Sequence, residues 1–181
     1  MATYAKEKGF TVQTLSTDPV ASQVAGGSWA SGTAINNGRF AIGAAMAAPY
    51  TAALIFGGDQ MPTEPRMVGY TETYNGSSWT ETTDINTARS YVGASNSGTS
   101  TDMIIYGGAP APASPTLANN EVWDGSTWTE INDLSAARRN PGSGGTSSSA
   151  LAAGGYSNPP GTFSATEEFT ADLANKTITA S

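Results

Sequence analysis

The chain has 181 residues, a net charge of −7, and neither cysteine nor histidine. That composition excludes disulfides, thiolate metal sites, cysteine nucleophiles and every acid–base or metal chemistry built on imidazole. Eight Lys and Arg against fifteen acids leave no basic footprint for DNA or RNA, and charged residues fall to 13% against a usual ~25%, which predicts a neutral, polar surface of Ala, Gly, Ser, Thr and Asn.

Residues 1–28 read as an N-terminal segment with one or two strands, an arm suited to anchoring or edge pairing. Its opening, "MATYAKEKGFTVQTLSTDP", has no apolar core and does not read as a signal peptide, so synthesis in a cytoplasm is expected. No stretch approaches the ~20 apolar residues of a membrane span, and no membrane insertion is expected.

From residue 29 to 181 one pattern recurs. Trp29, Trp79 and Trp128 are spaced 50 and 49 apart; Ile35, Ile85 and Leu134 follow six residues later, and Arg39, Arg89 and Arg138 ten residues later. A small-residue run comes next, such as "SYVGASNSG", and then an apolar run closed by two glycines: "ALIFGG" to Gly57-Gly58, "MIIYGG" to Gly107-Gly108, "ALAAGG" to Gly154-Gly155. Glu72 and Glu121 stand seven residues before the second and third tryptophans, with Tyr74 and Trp123 two residues after each glutamate; "EEFT" echoes them in Glu167 and Phe169. A segment written several times is a structural unit rather than a catalytic motif.

Each unit reads as four strands. The small-residue run is one, and the short apolar run with a glycine stop is a buried second. "ETYNGSSWTET" and "EVWDGSTWTEI" supply the other two as hairpins, because Asn75-Gly76 and Asp124-Gly125 can both take positive φ. The predicted class is all-β, with four-stranded blades at about 39–84, 89–133 and 138–181 and no long helix. The third unit is degraded: "ALAAGGY" lacks bulky aliphatics and no tryptophan follows Glu167 at the expected distance. Three to three and a half blades fall short of the 4–8 of a closed propeller, so an incomplete or oligomer-completed propeller with exposed strand edges is expected.

The repeated residues are expected to be structural. A tryptophan used once per unit packs between blades, and Arg39, Arg89 and Arg138 with Glu72, Glu121 and Glu167 form a repeated ion-pair network. Glycoside hydrolysis needs two acids about 5–9.5 Å apart across one bond, whereas these glutamates are spread one per unit. The paired glycines end strands instead of opening helices, and no phosphate loop is expected. Asp59, Asp84, Asp102, Asp124, Asp133 and Asp172 make no EF-hand, and Arg138-Arg139 is the lone basic pair. No catalytic, cofactor-binding or metal-binding residue is singled out, and no cofactor is expected. The proline-rich loops Met61–Pro65 and Ala109–Pro115 are longer than hairpins need and are the candidates for specific contacts.

The order of a hydrophobic strand closed by two glycines, a Glu/aromatic position, a tryptophan and an arginine resembles the kelch repeat of β-propellers, over roughly residues 22–181. The flavour of "YNGSSWTETTDINTARS", "IIYGG" and the closing "ANKTITAS" is similar to kelch-like virion-associated proteins of tailed bacteriophages. That resemblance implies a non-enzymatic structural virion protein, a capsid decoration, neck or tail appendage, partnered by itself as a homo-oligomer and by other virion proteins. The alternative it implies is a carbohydrate- or receptor-binding module at a virion tip, engaging a host surface glycan.

Overall fold

The computed structural model describes residues 28–45, 47–111, 115–159 and 161–172. The chain divides into two compact units, Met1–Gly32 and Thr33–Ser181. Of the first, residues 28–32 are described; they form no regular strand, and Trp29 is fully exposed. The strands expected before residue 28 lie outside the described residues.

The second unit is all-β. Strands β1 (Gly43–Ala44), β2 (Leu54–Phe56), β3 (Thr71–Tyr74) and β4 (Trp79–Thr82) form one antiparallel sheet in that order, and β5 (Gly93–Ala94), β6 (Met103–Tyr106), β7 (Asn120–Trp123) and β8 (Trp128–Ile131) form a second of the same topology. The third sheet holds β9 (Gly142–Gly145), β10 (Ser149–Ala153) and β13 (Thr166–Thr170) in the order β13-β10-β9, and β11 (Tyr156–Ser157) with β12 (Gly161–Thr162) makes a small separate hairpin. The innermost strand β5 lies beside both β1 and β9. The sheets are thus successive blades of a propeller-like fold.

Burial follows from this stacking. Leu54, Phe56, Met103, Ile105, Trp123 and Trp128 fill the boundary between the first and second sheets. Ile104, Tyr106, Ala150 and Ala152 form the second boundary, flanked by partly buried Val122 and Phe169. Strand β6 is buried at all four positions because sheets cover both its faces, which is why its sequence is a continuous apolar run with no period-2 alternation. Strand β10 alternates exposed and buried residues instead, so its second face, including Leu151, meets solvent.

The two expected hairpins form, with Tyr74 opposite Trp79 and Trp123 opposite Trp128. Their turns differ from expectation. Only Gly76 and Gly125 have positive φ, at 92° and 96°; Asn75 and Asp124 do not. The reason is local hydrogen bonding: Asn75 Oδ1 accepts from the N–H groups of Ser77 and Ser78, and Asp124 Oδ1 from those of Ser126 and Thr127. A side chain that mimics a backbone turn leaves the positive φ to glycine alone.

Candidate functional site

The repeated arginines and glutamates meet in each blade. Arg39 pairs with Glu72, Arg89 with Glu121 at 3.0 Å, and Arg138 with Glu167. In every case the second carboxylate oxygen accepts a backbone N–H three residues before the arginine: Asn36 to Glu72 (2.8 Å), Asn86 to Glu121 (2.7 Å) and Ser135 to Glu167 (2.6 Å). The glutamate of the third strand thereby clamps the linker that enters its own blade. In the middle clamp Arg89 is fully buried and Glu121 is 1% exposed. Burial pushes the Arg89 pKa below its ordinary value, against the opposing pull of Glu121. The Glu167 carboxyl is half-buried; burial alone would raise its pKa, but hydrogen bonds from Ser135 and the Arg138 cation together hold it below the ordinary range.

The same linkers bind the preceding blade through their backbone. Gly58 N–H donates to the Arg89 carbonyl at 3.0 Å, and Gly108 N–H to the Arg138 carbonyl at 2.8 Å. Gly57 (φ 60°) and Gly107 (φ 64°) sit so close that a Cβ would lie 2.4 Å from Arg89 O and 2.3 Å from Arg138 O. The paired glycines therefore end strands and admit the neighbouring backbone. Two residues past each arginine, Ala41, Tyr91 and Asn140 all take positive φ (52°, 57° and 50°). Tyr91 N–H donates to Ala41 O (3.1 Å) and Asn140 N–H to Tyr91 O (2.9 Å), a head-to-tail chain from blade to blade. Sequence reading missed it because Ala, Tyr and Asn share no side-chain chemistry.

The tryptophans differ. Trp128 is buried between the first two blades, edge-on to Phe56 (5.3 Å), beside Trp123 (5.1 Å), with Nε1–H donated to Thr71 Oγ1 at 3.2 Å. Trp79 is half-buried, 4.9 Å from Tyr74, and donates to Thr33 O. Trp29, expected to pack between blades, is exposed instead, as no sheet among the described residues precedes it.

At the second blade boundary, where Trp128 has its counterpart position, there is a cavity of about 230 Å³. Its lining includes Ile104, Tyr106, Asn120, Ala152, Glu168 and Phe169. Asn120 is 4% exposed; its Nδ2 donates to Asn132 O, while its Oδ1 has no hydrogen-bond partner. A groove along β1, β5 and β9 is lined by Ile42, Val92, Pro141 and small residues.

The loop Met61–Pro65 is exposed, Met61 included, and is bridged at its base by Asp59, which pairs with Arg66 and accepts Met61 N–H. Of the loop Ala109–Pro115, residues 112–114 lie outside the described residues. Among the described residues no three acidic groups converge as a metal site would need, and no helix is long and apolar enough to cross a membrane.

No family model and no curated protein matches this chain. Among solved structures it is similar to YjhT, with a TM-score of 0.58 and 14% identity over 76% of this chain and 44% of YjhT. The chain thus spans less than half the length of that structure. At this identity the likeness is one of fold.

Proposed function

We propose that the chain is a non-enzymatic structural protein of a tailed-phage particle, a kelch-type subunit that acts by assembly as a capsid decoration, neck or tail appendage. The observation that carries this reading is the state of the repeated acids. Both oxygens of Glu72, Glu121 and Glu167 are engaged by an arginine and a backbone N–H of the same blade, so the side chains that recur hold blades together instead of facing a substrate. The low charge and the phage flavour of the repeat support the setting. Contacts of this kind act mechanically, through strand pairing and apolar burial. Quantitative mass spectrometry and electron cryomicroscopy of purified particles test the reading. The expected result is a copy number matching a symmetric shell or ring; absence of the chain from particles overturns it.

A second reading, a receptor-binding module for a host glycan, draws on exposed Tyr50 and the Met61 loop. Glycan-array binding that Tyr50→Ala abolishes while the fold persists would favour it over the first.

A further inference from the structure

The sequence contains two Asn-Gly pairs, Asn37-Gly38 and Asn75-Gly76. An asparagine loses its amide most readily before glycine, because glycine has no Cβ to shield its own backbone nitrogen, the atom that attacks the asparagine Cγ. Asn75-Gly76 belongs to the repeat, with Asp124-Gly125 as its counterpart in the second hairpin. Asn37-Gly38 departs from it. The other two linkers carry Thr87-Ala88 and Ala136-Ala137 at the same distance before their arginines.

The fold holds the two pairs differently. Asn75 Oδ1 accepts the N–H groups of Ser77 and Ser78, both at 2.9 Å. Asn75 N–H donates to Ser78 O at 3.2 Å and closes the turn from the other side. The Asn75 carboxamide must give up two hydrogen bonds before its Cγ can turn to the Gly76 nitrogen. Asn37 has no such restraint. Its carboxamide makes no hydrogen bond among the described residues, Gly38 is exposed, and no atom lies within 4 Å of where a Gly38 Cβ would stand. The peptide that joins the pair is also held by a cation: Arg39 Nη1 donates to Asn37 O at 3.0 Å. When the Gly38 N–H loses its proton, negative charge spreads onto that oxygen, where the guanidinium stabilises it.

We propose that Asn37 is a self-modification site that converts to aspartate and isoaspartate and thereby loosens the joint of the first blade. The Gly38 nitrogen gives its proton to solvent and forms a bond to Asn37 Cγ. The C–N bond of the carboxamide breaks, and the amide nitrogen takes a proton from water and leaves as ammonia. Water then opens the resulting succinimide at either carbonyl. The step consumes water alone and makes the chain one charge more negative. In the isoaspartate product the main chain runs through Cβ and Cγ, so a methylene is added to the backbone between Asn36 and Arg39, and a carboxylate appears beside Arg39. Both changes strike the first clamp. Asn36 N–H and the Arg39 guanidinium reach the two oxygens of Glu72 across the same spacing that the other two clamps use. A longer linker cannot keep both contacts, and the new carboxylate competes with Glu72 for the arginine. The second and third joints, with Thr87-Ala88 and Ala136-Ala137, have no carboxamide to react.

The purified chain is incubated at mildly alkaline pH and then digested in weak acid. The peptides holding Asn37 and Asn75 are followed by tandem mass spectrometry, with isoaspartyl methyltransferase labelling to count isoaspartate. A parallel sample is kept in urea, where neither pair is restrained and both are expected to convert at similar rates. In the folded protein Asn37 is expected to convert at least about tenfold faster than Asn75, the factor that the hydrogen bonds holding Asn75 supply. Aged wild type is expected to unfold at lower urea than fresh protein. Asn37→Thr, which copies the second linker, is expected to show neither the conversion nor the loss of midpoint. Equal rates at the two pairs in the folded protein, or a faster Asn75, overturn the inference. So does an Asn37 that converts in urea and stays intact when folded. Conversion at Asn37 with an unchanged urea midpoint removes the loosening of the joint and leaves the modification site standing.

Discussion

Replacing Glu121 by Gln strikes a clamp whose two side chains are both buried. The carboxylate accepts Asn86 N–H at 2.7 Å and Asn86 Nδ2 at 2.9 Å, and lies 3.0 Å from Arg89. Gln keeps the volume and one acceptor but removes the charge. Arg89 is fully buried and an arginine stays protonated in proteins, so it would remain as an uncompensated cation. Breaking a buried pair in this way costs about 3–5 kcal/mol, a large part of a total stability of about 5–15 kcal/mol. In urea, with a slope of about 2 kcal/mol per M, the unfolding midpoint should fall by about 2 M. Tryptophan fluorescence reports it, since Trp123 and Trp128 sit in the adjoining core. Glu130→Gln, exposed on the same hairpin, serves as the control and should stay within about 0.5 kcal/mol. Adding Arg89→Met to Glu121→Gln should recover much of the loss, because the stranded charge is gone. A midpoint shift under about 0.5 M for Glu121→Gln would refute the clamp argument.

Gly107→Ala should cost at least about 1–3 kcal/mol in the same assay, through positive φ and collision with Arg138 O, while Gly38→Ala, with open space around it, should stay within about 0.5 kcal/mol. Glu167 has a folded pKa held below its ordinary 4.5, so its contribution is present above that value and is lost as pH falls through the folded pKa. The stability gap between wild type and Glu167→Gln, measured by urea titration at several pH values, should therefore be full at pH 7 and close on acidification below about 4.5. Asp124→Asn should leave the melting temperature nearly unchanged, since Asn75 does the same work in the first hairpin, whereas Asp124→Ala should lower it by removing the acceptor for Ser126 and Thr127 N–H.

The blades were legible where one residue type does one job at every repeat. Arginine and glutamate can meet only as a pair, and paired glycines at strand ends announce close approach; both readings match the clamps and the Gly58–Arg89 contact. Tryptophan was legible at Trp128 and not at Trp29, because spacing reports register but not burial, and Trp29 is exposed. The Asn75-Gly76 turn was read as a pair of positive-φ residues, yet the asparagine side chain can itself close the turn, a competition composition does not decide. The chain through Ala41, Tyr91 and Asn140 was illegible because it is made of backbone. The cavity was illegible too: it exists only where Phe169 and Asn120 approach from different sheets.

Arg138 and Glu167 bear on how such a chain drifts. The third unit has lost the aliphatic bulk of its inner strand, with "ALAA" where the second has "MIIY", yet it keeps Gly154-Gly155, Arg138 and Glu167 in place. Filling can erode by single substitutions, each felt mainly at one blade boundary. The linker joint cannot: one arginine is held by its side chain in its own sheet and by its carbonyl in the previous one, so a change there is felt in two blades at once. Erosion of a duplicated ancestor would then strip the interior of a unit before it touched the joints, and the joints, more than the hydrophobic strands, are the part of the repeat to search for in diverged copies.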